Sequence, residues 1–247
     1  MAPSDDTQAK PLRPLQLRLD RTVRIRIAPG MVHDAGLERR IGEIWAVEKA
    51  RAGERLFDGA AFGLVSADAA ELVLRPLRYR DIVARRRDPS LASQGLNLPH
   101  VGVSGVLTNG AGLVLGRRAS HVAVHGGAWE TAPSGVLAVP DPGAQVLEEL
   151  REELGLGAEC VAPPELCGLL ATAESAELVL RLQTSLSTEN ILTAWRRHGT
   201  DEYDALEIVP ADQLAAFCRD GARLLLPDLR ATLDLAGLPH GPRGALL

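Results

Sequence analysis

The apolar positions of this 247-residue chain change period along its length. Residues 1–14, rich in Pro and polar side chains, show no repeat and are expected to form a loose leader. Leu15-Gln16-Leu17-Arg18-Leu19 and Val23-Arg24-Ile25-Arg26-Ile27 then alternate apolar with polar, the period of half-buried strands. After Pro29-Gly30, Leu37, Ile41, Ile44 and Trp45 recur at helical spacing, which predicts a helix over 35–51 that ends near Gly53. Phe57-Asp58-Gly59 reads as a turn, 60–66 and 71–75 as a short hairpin, and 79–87 as a helix with an arginine-rich face. Trp45 and Phe57 are expected in the core.

A better-patterned unit begins near Val101. Segments 101–107 and 113–116 flank Asn109-Gly110, a pair suited to the turns that join twisted antiparallel strands. A short extended piece at 129–132 runs into the turn Pro133-Ser134-Gly135. Asp141 is placed to cap a helix and Pro142 to open it; the helix runs to Leu154 and stops at Gly155. Strands at 166–172 and 177–183, a helix at 189–197, a strand at 205–209 and helices near 211–219 and 227–235 complete the pattern. Strands interleaved with helices predict layered α/β or α+β architecture.

Composition narrows the function classes. With 46% hydrophobic and 24% charged residues, the chain is that of a globular protein with a sizeable core. No uninterrupted apolar run reaches the ~18–20 residues of a membrane span, and 1–14 lacks the apolar centre of a secretory signal, so no membrane partner and a cytoplasmic address are expected. A net charge of −5 argues against gripping DNA or RNA. Cys160, Cys167 and Cys218 lack metal-ligand spacing and are expected to be buried structural thiols. Only three Trp, two Tyr and three Phe are available to stack on a base.

The chemistry concentrates at 148–156. Glu149, Glu152 and Glu153 stand at i, i+3 and i+4, so a helix gathers their carboxylates on one face. Each like-charged pair costs a few tenths of a kcal/mol on an isolated helix. A divalent cation among them removes that cost, because hard cations prefer carboxylate oxygens. Arg117-Arg118 follows a hairpin strand and suits phosphate, while His121 and His125 precede Gly126-Gly127, where backbone can approach a ligand. Trp129 is the better placed ring for stacking.

This segment resembles the box of the Nudix hydrolases, which reads Gly, five residues, Glu, seven residues, then Arg-Glu-aliphatic-x-Glu-Glu-x-Gly-aliphatic. The downstream half matches as Glu149-Leu150-x-Glu152-Glu153-x-Gly155-Leu156. Two departures stand beside it. Glu148 takes the place of the box arginine, and the stretch from Gly135 to the helix is one residue short, leaving Asp141 at the place of the first glutamate. Leu56-Phe57-Asp58-Gly59, Phe62-Gly63-Leu64, Tyr79-Arg80-Asp81, 101–107 and 129–135 are similar in layout to the nucleoside-diphosphate-sugar subgroup, which includes a UDP-glucose pyrophosphatase. Asp201-Glu202-Tyr203-Asp204 falls where that subgroup carries His-Glu-Ser-Thr, so Glu202 matches a family glutamate.

The resemblance implies a Nudix fold, a mixed sheet sandwiched between helices, over 99–238. A small α/β extension over 15–98 would lie over it like a lid, with a tail at 239–247. It implies Mg²⁺ or Mn²⁺ on Glu149, Glu152 and Glu153, with Glu202 as a further catalytic acid. The substrate would be a nucleoside diphosphate derivative, UDP-glucose-like, contacted by Tyr79, Arg80, Arg117, Arg118, Trp129, Ser134 and Gly135, in a monomer or homodimer. The alternatives are another diphosphate, such as ADP-ribose or a dinucleotide, or a ligand-binding module without catalysis, in keeping with Glu148 and the shortened box.

Overall fold

The alternating segments become one mixed sheet. The computed structural model describes residues 15–20, 22–53 and 56–240, so the leader expected over 1–14 and most of the tail lie outside the described residues. In chain order the strands are β1 (Leu15–Arg18), β2 (Arg24–Ile27), β3 (Ala60–Ala67), β4 (Glu71–Arg78), β5 (His100–Asn109), β6 (Gly112–Arg118), β7 (Trp129–Thr131), β8 (Ser134–Val136), β9 (Glu165–Ala171), β10 (Ser175–Gln183) and β11 (Tyr203–Val209). The helices are α1 (Ala35–Ala52), α2 (Tyr79–Arg87), α3 (Pro142–Leu154), α4 (Thr188–His198), α5 (Leu214–Arg219) and α6 (Leu229–Leu235).

The spine of the sheet runs β1-β9-β10-β5-β3-β4-β2, parallel at β10·β5 and β2·β4 and antiparallel elsewhere. β3 meets β5 through a single registered pair, Gly63↔His100. After the Asn109-Gly110 turn, β6 pairs with β5, then takes β7 on one side and β11 on the other. The stretch expected to be only a turn at Ser134-Gly135 forms β8, because it pairs with Gly102–Ser104 of β5.

Helices cover both faces, and the alternation of β10 shows how. Leu178, Leu180 and Leu182 point to one side, where Val146, Leu150 and Leu154 of α3 and Ile191 of α4 pack on them. Val179 points to the other side, toward Leu214 and Phe217 of α5 and Leu229 and Leu233 of α6. On α1, Leu37 and Ile41 close a third cluster with Ala84 of α2 and with Leu91 and Leu96 beyond it. The architecture is therefore α/β, a mixed sheet between helical layers.

Some expectations are revised. Phe57 is not core: it is 72% exposed, because the turn aims it outward and its ring folds over Gly59, where a Cβ would come within 2.8 Å of it. Trp45 is half-buried on α1. All three cysteines are free, with Cys218 buried and Cys160 and Cys167 half-buried. Among the described residues no helix is long and apolar enough to cross a membrane.

Candidate active site

The site is organised by α3. Asp141 accepts a hydrogen bond from the Gly143 N–H at 2.9 Å, Pro142 opens the helix, and Gly155 closes it in the left-handed region with φ 67°. Val146, Leu150 and Leu154 fall on one stripe and are fully buried, which fixes the rotation of the helix against the sheet. That rotation turns Glu149 and Glu153 toward β8 and leaves Glu148, Arg151 and Glu152 at the surface. The three box glutamates are thus neighbours, but they do not share one environment.

Glu149 lies directly against Gly135. A Cβ on that glycine would overlap both carboxylate oxygens, so a side chain there would have to push the Glu149 carboxylate aside. Glu149 also accepts a hydrogen bond from Gln145 Nε2 at 2.8 Å, one turn earlier on α3. Gln145 is itself held, since its Oε1 accepts the N–H groups of Ala138 and Val139. Burial lifts the Glu149 carboxyl to about 7, and Glu152, Glu202 and Glu148 push the same way.

Glu153 is deeper, 5% exposed, with Oε2 accepting the Ser134 N–H at 2.9 Å and the Tyr203 hydroxyl at 3.1 Å. Burial, then the nearby Glu149 charge, raises its carboxyl well above the ordinary range. Glu152 is half-exposed and 3.1 Å from Arg151 Nη2, which also binds Glu148 at 2.6 Å. The helix therefore does carry an arginine beside its glutamates, three residues after the box position and on the outer surface.

A second network backs the first. Arg118, at the end of β6, places Nη1 2.6 Å from Glu130 and Nη2 2.7 Å from Glu202, and its Nε donates to the Val124 carbonyl at 3.0 Å. Glu130 also accepts from Ser134 Oγ at 3.2 Å. Arg118 thereby joins β7, the start of β8 and the segment before β11. Further along, Glu177 lies beneath Gly102 and 3.4 Å from Ser104 Oγ. Burial pushes its carboxyl up to about 8, with Asp228 and Glu130 acting in the same direction.

The remaining expected substrate contacts are placed as follows. Ser134 and Gly135 line the carboxylates. Arg117 binds Asp204 at 2.6 Å and stands 5.9 Å from the Trp129 ring. Trp129 is not open for stacking: it is 5% exposed, edge-on to Phe217 at 5.4 Å and covered by Arg223 at 5.2 Å. Strand pairing on β6 turns this ring inward. Arg80 is engaged away from the glutamates, 2.5 Å from Glu38 on α1 and 3.6 Å from Asp58. Tyr79 donates its N–H to the Gly59 carbonyl at the start of α2. The network also contains residues that sequence reasoning passed over: Glu130, Tyr203 and Gln145.

The donor set suits a hard divalent cation in type and charge, because the acids around α3 are all oxygen ligands and exceed their basic neighbours. It is not a preformed cage, since among the described residues no group of three or more His, Cys, Asp or Glu is gathered closely enough to hold an ion.

Neither a family model nor a curated protein matches this sequence. Solved structures do match. A protein from Deinococcus radiodurans has a TM-score of 0.43 and 15% identity, over 56% of this chain and 82% of that one. The NUDIX domain of Shewanella oneidensis NrtR, complexed with ADP ribose, has a TM-score of 0.41 and 16% identity, over 56% and 85%. The MutT protein from Methanosarcina mazei Go1 has a TM-score of 0.40 and 16% identity, over 54% and 89%.

Proposed function

We propose that this chain is a metal-dependent hydrolase of a nucleoside diphosphate derivative, a nucleotide sugar of the UDP-glucose type. The observation that carries the reading is the charge-unbalanced pair of half-buried Glu149 and buried Glu153 aimed at Ser134-Gly135, on the helix whose sequence resembles the Nudix box. Water attacks one phosphorus, the P–O bond of the anhydride breaks, and the products are a nucleoside monophosphate and a sugar 1-phosphate. Glu149, Glu152 and Glu153 would hold Mg²⁺ or Mn²⁺, which when bound offsets diphosphate charge and acidifies water.

The chain's own groups have separable tasks. Tyr203 and the Ser134 N–H orient Glu153, and Gln145 orients Glu149. Glu202, 31% exposed and tied to Arg118, is the acid outside α3 that is open to take the water proton. Gly135, lacking a side chain, lets the Glu149 carboxylate lie directly against the β8 backbone.

The test is incubation with a panel of nucleoside-diphosphate sugars, ADP-ribose and dinucleotides, with Mg²⁺ or Mn²⁺ and chromatographic separation of products. Glu152→Gln, at an exposed position, is expected to abolish turnover with the far-UV spectrum unchanged; full activity in that variant would overturn the metal assignment. A second reading is a ligand-binding module without catalysis, favoured by Glu148 at the box arginine and by the ungathered carboxylates. It predicts that a panel member raises Tm while no product forms.

A further inference from the structure

A cavity of about 250 Å³ lies outside the glutamate cluster, between α2, the 3-10 helix Pro89–Gln94, the start of β5 and the β9–β10 turn. Met31, Leu77, Leu96 and Leu98 give it an apolar wall. His100, at its edge, is four residues before Ser104, the residue of β5 that pairs with Ser134. The two sites are therefore roughly 13 Å apart along the strand at ~3.3 Å per residue.

The charged groups around this cavity are not equivalent. Arg85 is satisfied, its guanidinium donating to the carbonyls of Leu98 and Ala173. Asp81 is turned into the protein, with Oδ2 accepting the Arg78 N–H at 3.0 Å and Oδ1 3.4 Å from His33 Nε2. Glu174 offers its carbonyl to His100 Nδ1–H at 2.8 Å and keeps an exposed position at the rim. Arg86 is exposed at the mouth and, among the described residues, has no hydrogen bond or ion pair.

We propose that this cavity binds a small organic monocarboxylate, with an apolar body about the size of a single ring lying on Met31 and Leu96 and its carboxylate paired with Arg86. The volume is below the ~300–1,000 Å³ of sites for larger ligands, and an apolar wall with a few polar groups is the usual make-up of a ligand pocket. One unpaired guanidinium suits one planar carboxylate, while Glu174 at the rim and Asp81 in the wall disfavour a dianion. The local field agrees: His100 is held down to about 4, by burial first and then by Arg86 and Arg85. This site is independent of the hydrolytic reading and stands or falls without it.

The chain has two methionines, Met1 and Met31, so methyl-¹³C methionine reports directly on the cavity wall. Benzoate and its neutral isostere benzamide are the probes. Benzoate is expected to move the Met31 methyl resonance saturably, with Kd at least about tenfold below that of benzamide. Arg86→Gln should erase that preference, whereas Glu152→Gln should leave it unchanged. Equal affinity for the two probes would show an apolar hole only. No saturation by about 10 mM benzoate, or an unchanged preference in Arg86→Gln, would overturn the proposal.

Discussion

Around α1 and α2 the acids meet arginines: Arg40 with Asp88 at 3.1 Å, Arg87 with Glu48 at 2.6 Å, and Arg80 with both Glu38 and Asp58. Around β7, β8 and α3 the balance fails. Glu130, Glu149, Glu153 and Glu202 converge there, and among the described residues the guanidinium paired with them is that of Arg118, which touches two. Balanced surface pairs hold helices together at modest gain. Excess buried carboxylate opposes folding, and such perturbed groups concentrate where chemistry is done. The contrast therefore marks the second region as the place for the proposed hydrolytic chemistry and the paired outer surfaces of α1 and α2 as scaffold.

The largest test of this contrast is Arg118→Met. It leaves Glu130 buried without its cation, and the expected loss is about 3 kcal/mol, read as a lower urea midpoint. Glu177→Gln works in the opposite sense. Because the folded carboxyl is raised from 4.5 to about 8, the native state keeps a proton that the unfolded chain has lost. The group's favourable contribution is thus complete below 4.5 and lost as pH rises to 8. The variant should nearly match the wild type near pH 4.5 and exceed it by up to about 4–5 kcal/mol near pH 8.5, as read by denaturant titration at both values. An identical pH dependence would refute the assigned burial.

Gly135→Ala places a methyl group against Glu149 and should cost roughly 1–2 kcal/mol, together with most of any turnover or ligand binding at the glutamates. At the small end stands Arg87→Gln on the scaffold side. It breaks the pair with Glu48, yet the expected change is below about 0.5 kcal/mol in the same titration. A larger loss from Arg87→Gln than from Arg118→Met would erase the distinction between the regions.

Helix α3 was legible in the sequence because its signals are local: Asp141, Pro142, the stripe Val146, Leu150 and Leu154 spaced four apart, and Gly155. The hairpin at Asn109-Gly110 was legible for the same reason. The partners of the other strands were not, since β10 joins β5 in parallel across more than seventy intervening residues, which no short-range pattern encodes. The site divides the same way. Glu149 and Glu153 follow from i, i+4 spacing, and Gln145 could have been found one turn earlier on the same stripe. Glu130 and Tyr203 gain their roles only because β6 pairs with both β7 and β11, setting Gly116 opposite Glu130 and Arg118 opposite Tyr203. The same pairing buries the Trp129 ring, which local pattern alone does not signal.

The end of α3 has a consequence for how this protein can diversify. Gly155 leaves no room for a side chain against Ala194 and His198 of α4, and the Thr200 N–H is bonded to the Glu152 carbonyl. Asp141 caps the other end, so both ends of the helix are held by specific contacts. A side chain at position 155 would therefore press on α4 and displace the proposed glutamate site as a whole, so this position has far less freedom to vary than the exposed Glu148 and Arg151 on the same helix.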